Sequence, residues 1–178
     1  ANGGFDVLPG RSGSGALAEM SSEEVARLAA GLSALALQYD QVILDLGAGI
    51  ESNCMRLARA ADKVLMVITD EPTSMTDAYA FIKVLKGYAP SVEQMIAINQ
   101  CETRAAGQNT FSAVAQACQT FLGFRPHLAG TVIRDDAVRE AIRSQKTLIS
   151  TNSSSQPIQD VIAIAHTLLG RTGQDLHS

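Results

Sequence analysis

Val42-Ile43-Leu44-Asp45-Leu46-Gly47-Ala48-Gly49 is an apolar run that carries one acid near its end and passes into a glycine-rich turn. A run apolar on both faces reads as a strand buried in a parallel sheet. An ionised carboxylate at the end of such a strand is costly unless a cation or hydrogen-bond donors offset its desolvation. A nucleotide-bound Mg²⁺, reached through water, is a common solution. The glycines would let the backbone come close to a phosphate. The competing reading is an Asp that only caps a turn.

Outward from this stretch, β-branched runs alternate with amphipathic helices. Strands are expected at Phe5–Leu8, Val42–Leu46, Lys63–Thr69, Gln94–Asn99 and His127–Ile133. Ser21-Ser22-Glu23-Glu24 is a capping-box signal for a helix with Val25, Leu28, Ala29, Leu32, Leu35 and Ala36 on one face. Further helices are expected over Asn53–Ala61, after Ser74 as cap, over Gln108–Leu122, and briefly after Asp135. Pro157 opens a last helix with Ile158, Val161, Ile162, Ala165 and Leu169 inward. Doubly apolar strands alternating with helices predict an α/β fold with a mainly parallel sheet covered on both sides. Ligands of such sheets bind beyond the carboxyl ends of the strands.

The 178 residues suit one domain and can bury a sizeable core. A net charge of −4, with the basic residues scattered, gives no footprint for nucleic acid or an anionic membrane. Three widely spaced cysteines, Cys54, Cys101 and Cys118, suit reduced thiols in a cytoplasmic protein rather than a disulfide framework or a zinc site. No apolar run approaches the roughly 20 residues that span a bilayer. The start, Ala1-Asn2-Gly3-Gly4, leads almost directly into an apolar run, as in a chain cut from something longer.

Three other segments bear on chemistry. Gly10-Arg11-Ser12-Gly13-Ser14-Gly15 satisfies G-x-x-x-x-G, but Ala16 and Leu17 stand where a Walker A loop needs Lys and then Ser or Thr. It reads as a turn. Asp70-Glu71-Pro72-Thr73-Ser74-Met75-Thr76-Asp77 follows the third strand; plain helix capping competes there with a switch role. Asn99, after the QMIAI strand, offers an amide donor and acceptor suited to a purine edge. No nucleophilic triad or metal-ligand cluster is visible, and His127, His166 and His177 are isolated.

Four stretches, GGFDVLPGRSGSG (3–15), YDQVILDLGAGI (39–50), ADKVLMVITDEPTSMTDAYAFIKVL (61–85) and RDDAVREAIRSQK (134–146), together resemble the MinD/ParA branch of P-loop ATPases, and within it the flagellar-number regulators FlhG and FleN. The resemblance implies the three-layer, doubly wound P-loop NTPase fold in a single MinD-like domain, lacking its first strand–P-loop–helix unit. It implies that Asp45 is the Walker B-type acid that orders Mg²⁺ through water and the attacking water. Gly47, Ala48 and Gly49 match the switch turn beside the γ-phosphate. Asn99 matches the residue that reads adenine, and Asp135 a base- or ribose-side contact. ATP and Mg²⁺ are the implied cofactors. The implied partners are a second subunit in an ATP-dependent homodimer and proteins of a flagellar or positioning machinery.

Two departures stand out. The family's final loop reads G-x-I-P-x-D, whereas Gly130-Thr131-Val132-Ile133-Arg134-Asp135 has Ile133 in the Pro position. No KGGxGKT loop occurs within the 178 residues, so hydrolysis is expected of an intact parent protein and not of this chain alone. The tail Gly170–Ser178 is too weakly basic for the membrane helix that ends MinD, so no direct membrane contact is expected of this chain. The alternatives are a degenerate, non-catalytic scaffold and an amidotransferase-type ligase. The second would need a glutaminase domain that this sequence does not contain.

Overall fold

The computed structural model describes residues 4–10 and 16–170. Residues 11–15, which hold most of the Gly10–Gly15 turn, and the tail from 171 on lie outside them. The chain divides into two compact units, Ala1–Ala60 and Ala61–Ser178, each described by itself.

In the first unit, α1 (Ala16–Glu19), α2 (Ser22–Ala36) and α3 (Ser52–Arg59) are helical. The capping box forms as the sequence predicts. Glu24 N–H donates to Ser21 Oγ at 3.3 Å, and Ser21 N–H donates to the Glu24 carboxylate at 2.8 Å. Asn53, buried on α3, donates its amide to Leu17 O at 2.7 Å and Met20 O at 2.8 Å, which ties the end of α1 to α3. Of the apolar face expected on α2, only Val25 is fully buried.

The expected strands Phe5–Leu8 and Val42–Leu46 are not strands. Neither pairs with any strand among the described residues, and both are exposed, Ile43 to 92%. An apolar run becomes a strand only when neighbours accept its backbone hydrogen bonds. Periodicity reports the side chains' preference and does not supply those neighbours.

The second unit is a parallel sheet. β1 (Lys63–Ile68), β2 (Glu93–Cys101) and β3 (His127–Ile133) lie in the order β1-β2-β3. The connections run through α4 (Pro72–Tyr88) and α5 (Arg104–Leu122); α6 (Asp136–Arg143), α7 (Leu148–Thr151) and α8 (Gln156–Leu168) follow β3. On one face of the sheet, Met66, Ile68, Ile96 and Ile98 pack with Ala78 and Ile82 of α4 and with Phe111, Val114, Ala115 and Cys118 of α5. On the other, Met95, Ala97 and Ala129 meet Ile164 of α8. A parallel sheet with apolar cores on both faces is the three-layer, doubly wound arrangement the sequence predicts.

Two local readings need correction. Ser74 does not cap α4; Glu71 is the N-cap residue, Pro72 opens the helix, and the Ser74 hydroxyl accepts the Thr69 N–H at 3.1 Å. α8 is rotated from the expected face. Pro157, Asp160 and Ile164 point inward, while Val161 and Ile162 are 53% and 42% exposed. The inward pull comes from Asp160, whose carboxylate has hydrogen-bond partners there, and from Ile164, which lies against Gly130.

Gly107 of α5 has no space for a side chain, because a Cβ there would lie 2.7 Å from both Cys101 Sγ and Thr131 Cγ2. Gly107→Ala is therefore expected to destabilise the fold by about 1–3 kcal/mol through overpacking, outweighing alanine's helix preference. Gly87→Ala on α4, where nothing lies within 4 Å of the added carbon, is the control and should be neutral or stabilising. Chemical denaturation of the two variants checks the contrast.

Candidate nucleotide site

The three parallel strands end on one side of the sheet, β1 at Ile68 opposite Ile98 and β2 and β3 further on at Cys101 and Ile133, and the turns beyond them form its carboxyl edge. At β1, Thr69 N–H donates to Ser74 Oγ and Glu71 N–H donates to Thr69 Oγ1 at 3.4 Å, so the Asp70–Glu71 turn is pinned to the start of α4.

β2 does not end regularly. Its register with β3 slips between Ile98 and Cys101, and Gln100 takes a left-handed backbone, φ 58°. Bulges of this kind re-aim side chains and gather beside active sites. The residue re-aimed here is Asn99, half-buried, whose Oδ1 accepts the Gln100 N–H at 2.9 Å. That bond leaves the amide nitrogen of Asn99 as the end turned to other partners.

The β3 turn lies alongside. Arg134 N–H donates to Cys101 O at 2.8 Å, which ties it to β2. Asp135 is the N-cap residue of α6 and accepts the Ala137 N–H on Oδ1 at 2.8 Å. Asn99 and Asp135, singled out by the sequence, therefore stand at the ends of two hydrogen-bonded neighbouring strands.

Asp45, Gly47, Ala48 and Gly49 belong to the other unit. Asp45 is exposed rather than buried at a strand end, because residues 42–46 pair with no strand among the described residues. Gly47 O accepts the Cys54 thiol at 3.7 Å. Gly49 has φ +143°, a conformation that glycine tolerates and other residues rarely adopt. Among the described residues, no group of three or more His, Cys, Asp or Glu side chains could hold a metal.

Sequence reasoning missed Asp160. Its carboxylate, 3% exposed, accepts from Arg104 Nη2 at 2.5 Å, from Gln156 Nε2 at 2.8 Å and from Ile133 N–H at 2.9 Å. Burial raises its pKa, but the hydrogen bonds from Ile133, Arg104 and Gln156 and the Arg104 charge outweigh burial and hold it below the usual value. The signal was present as the one acid within the apolar helix Gln156–Leu168. The three cysteines are buried and unpaired, and burial, first among the causes, raises each thiol's pKa. A raised pKa leaves less of each thiol as the reactive thiolate at neutral pH.

No protein-family model matches the sequence. Two curated relatives do. The antiactivator FleN of Pseudomonas aeruginosa is 31% identical over 82% of this chain and 52% of its own length. The flagellum site-determining protein YlxH of Helicobacter pylori is 24% identical over 94% of this chain and 57% of its own length. Among solved structures, the MinD cell division protein of Aquifex aeolicus superposes with a TM-score of 0.67 at 17% identity, over 83% of this chain and 61% of that one. A ParA family ATPase from Chlorobium tepidum gives 0.67 at 19% identity, over 90% and 62%. The chain belongs to the MinD/ParA-type family. On the MinD/ParA pattern the three-stranded sheet is a portion of the P-loop NTPase fold, and the chain spans about half the length of the curated relatives it matches. A further MinD, the septum site-determining protein of Pyrococcus horikoshii, was solved with Mg-ADP and has a TM-score of 0.63 at 17% identity, over 86% of this chain and 60% of that one.

Asn99, on the β2 bulge, and Asp135, on the neighbouring turn, supply amide and carboxylate groups of the kind that meet a base and ribose. The sequence supplies no Walker A lysine or hydroxyl for the phosphates.

Proposed function

We propose that this chain is the greater part of one MinD/FlhG-like ATPase domain, spread over both units, that acts as an ATP-dependent dimerising switch regulating flagellar number or cellular positioning. The likeness to FleN, 31% over most of the chain, carries this reading. When bound, Mg-ATP would supply the phosphoanhydride to be cleaved and the metal charge beside it. Asp45 would help to hold the Mg²⁺ through water and would orient the attacking water. Gly47, Ala48 and Gly49 form the turn that follows the γ-phosphate. Asn99 reads adenine from the β2 bulge, and Asp135 contacts the base or ribose side. The chemistry asked of these groups is positioning and electrostatic stabilisation of in-line attack by water.

The 178 residues alone do not hydrolyse ATP in this account, since no side-chain cation reaches the β- and γ-phosphates. The partners are a second copy of the intact protein and components of the flagellar or positioning machinery in the cytoplasm. No helix among the described residues is long and apolar enough to cross a membrane. The unpaired, exposed Val42–Leu46 favours a second reading, a non-catalytic MinD-like scaffold that works through protein contacts.

Counting flagella per cell by electron microscopy, in a strain from which the gene is deleted, tests the biological role. An altered number, restored by the wild-type gene, is the expected result. An unchanged number with other cellular cargo misplaced moves the protein to a different positioning task.

A further inference from the structure

Asp160 has no part in the nucleotide reading above, yet its buried carboxylate accepts from three donors. Its three donors come from three elements: Arg104 from the first residue of α5, Ile133 N–H from the last residue of β3, and Gln156 from the first residue of α8. Arg104 lies three residues past the end of β2, on the turn that follows the Asn99–Gln100 bulge. Ile133 lies two residues before Asp135. One buried charge thus holds groups that flank two of the three turns of the carboxyl edge, those after β2 and β3. β3 is at the edge of the described sheet, and Ile133 N–H turns to this carboxylate, an acceptor supplied by a helix. A proline at position 133 would have no N–H to give.

The approach of α8 is built for this contact. Gly130 lets Ile164 sit where a Cβ would lie 2.6 Å from its Cγ1, so the helix comes close enough for Asp160 to reach the strand end. Arg104 also donates to Thr131 Oγ1 at 3.4 Å, a second tie from the β2–α5 turn to β3. Arg104 is the only charged group that hydrogen-bonds Asp160 among the described residues.

We propose that Asp160 is a positioning residue that locks the β2–α5 and β3–α6 turns together and so sets where Asn99 and Asp135 stand. The proposal rests on the reading that these two residues meet the nucleotide, but its test needs no nucleotide. Success or failure of the lock is therefore separable from success or failure of that reading, which Asp135→Ala in an ATP-binding assay addresses separately.

The test is residue-resolved amide hydrogen exchange by NMR on the 178-residue chain. Three amides are followed: Ile133, which Asp160 accepts; Ala137, which Asp135 accepts; and Ile96, in the core of β2. Asp160→Ala, which removes the acceptor of all three hydrogen bonds, is expected to speed exchange at Ile133 and Ala137 about tenfold or more relative to Ile96. Asp160→Asn keeps one acceptor oxygen and should restore part of the protection; it also serves if the alanine variant does not fold. In an Ile133→Pro background, which lacks the N–H, Asp160→Ala should add less at Ala137 than it does in the wild-type background. A rise of equal size at all three amides, or no rise at Ala137, would overturn the proposal, because either means that Asp160 stabilises the unit without positioning the turn.

Discussion

In a protein completed by a Walker A unit upstream of Ala1, Asp45→Asn is expected to lower Mg-dependent ATP turnover by about 10²–10³-fold. The substitution keeps the size of the side chain and removes the charge. A neutral amide holds a Mg²⁺-bound water less well and no longer favours the dipole of the attacking water. On the proposed reading Asn99 and Asp135 meet the base and ribose, so affinity for ATP should change far less. Steady-state turnover together with equilibrium nucleotide binding separates the two effects. Turnover within about twofold of wild type would remove Asp45 from the catalytic role.

The largest expected effect on stability is at Ile96, in the middle of β2 and 0% exposed. Ile96 lies in the core between the sheet and helices α4 and α5. Ile96→Ala removes buried methyl and methylene groups and leaves a cavity that these neighbours only partly fill. The expected cost is about 2–5 kcal/mol. Val67→Ala on β1 is the matched control, since Val67 is a β-branched strand residue that is 61% exposed. It should cost no more than about 0.5 kcal/mol. Equal losses at the two positions, measured by urea denaturation, would mean that the core is not where the two-faced sheet puts it.

The second unit was legible in the sequence. Its strands appear as short β-branched runs, and α5 shows Phe111, Val114, Ala115, Cys118 and Leu122 at helical spacing, the first four buried and Leu122 half-buried. The first unit was less so. Val42–Leu46 has a strand's composition, but a strand is a pairing, and no partner for it is present among the described residues. The face of α8 was misread for a different reason. Its apolar residues cover more than one side, and the choice of side was made by a polar residue, Asp160, together with the small Gly130 beneath Ile164. Hydrophobic period alone gives no weight to either.

The candidate site divides in the same way. Asn99 could be chosen because an amide at the end of a parallel strand lies on the ligand side, whereas Asp135 was named only through the family resemblance. The bulge that aims Asn99 could not, because it depends on the left-handed Gln100 and on the register with β3. Asp160 was hidden because an acid in a helix usually faces solvent, and its donors lie 27 and 56 residues away as well as on its own helix.

The most direct test of the account joins the portion of FleN that precedes the region matched here to Ala1, and measures Mg-dependent ATP hydrolysis beside the 178-residue chain alone. The account predicts turnover in the joined protein, its loss with Asp45→Asn, and none in the chain alone. A joined protein that unfolds cooperatively yet neither binds nor hydrolyses ATP would contradict the claim that these residues form the switch and base half of an ATP site.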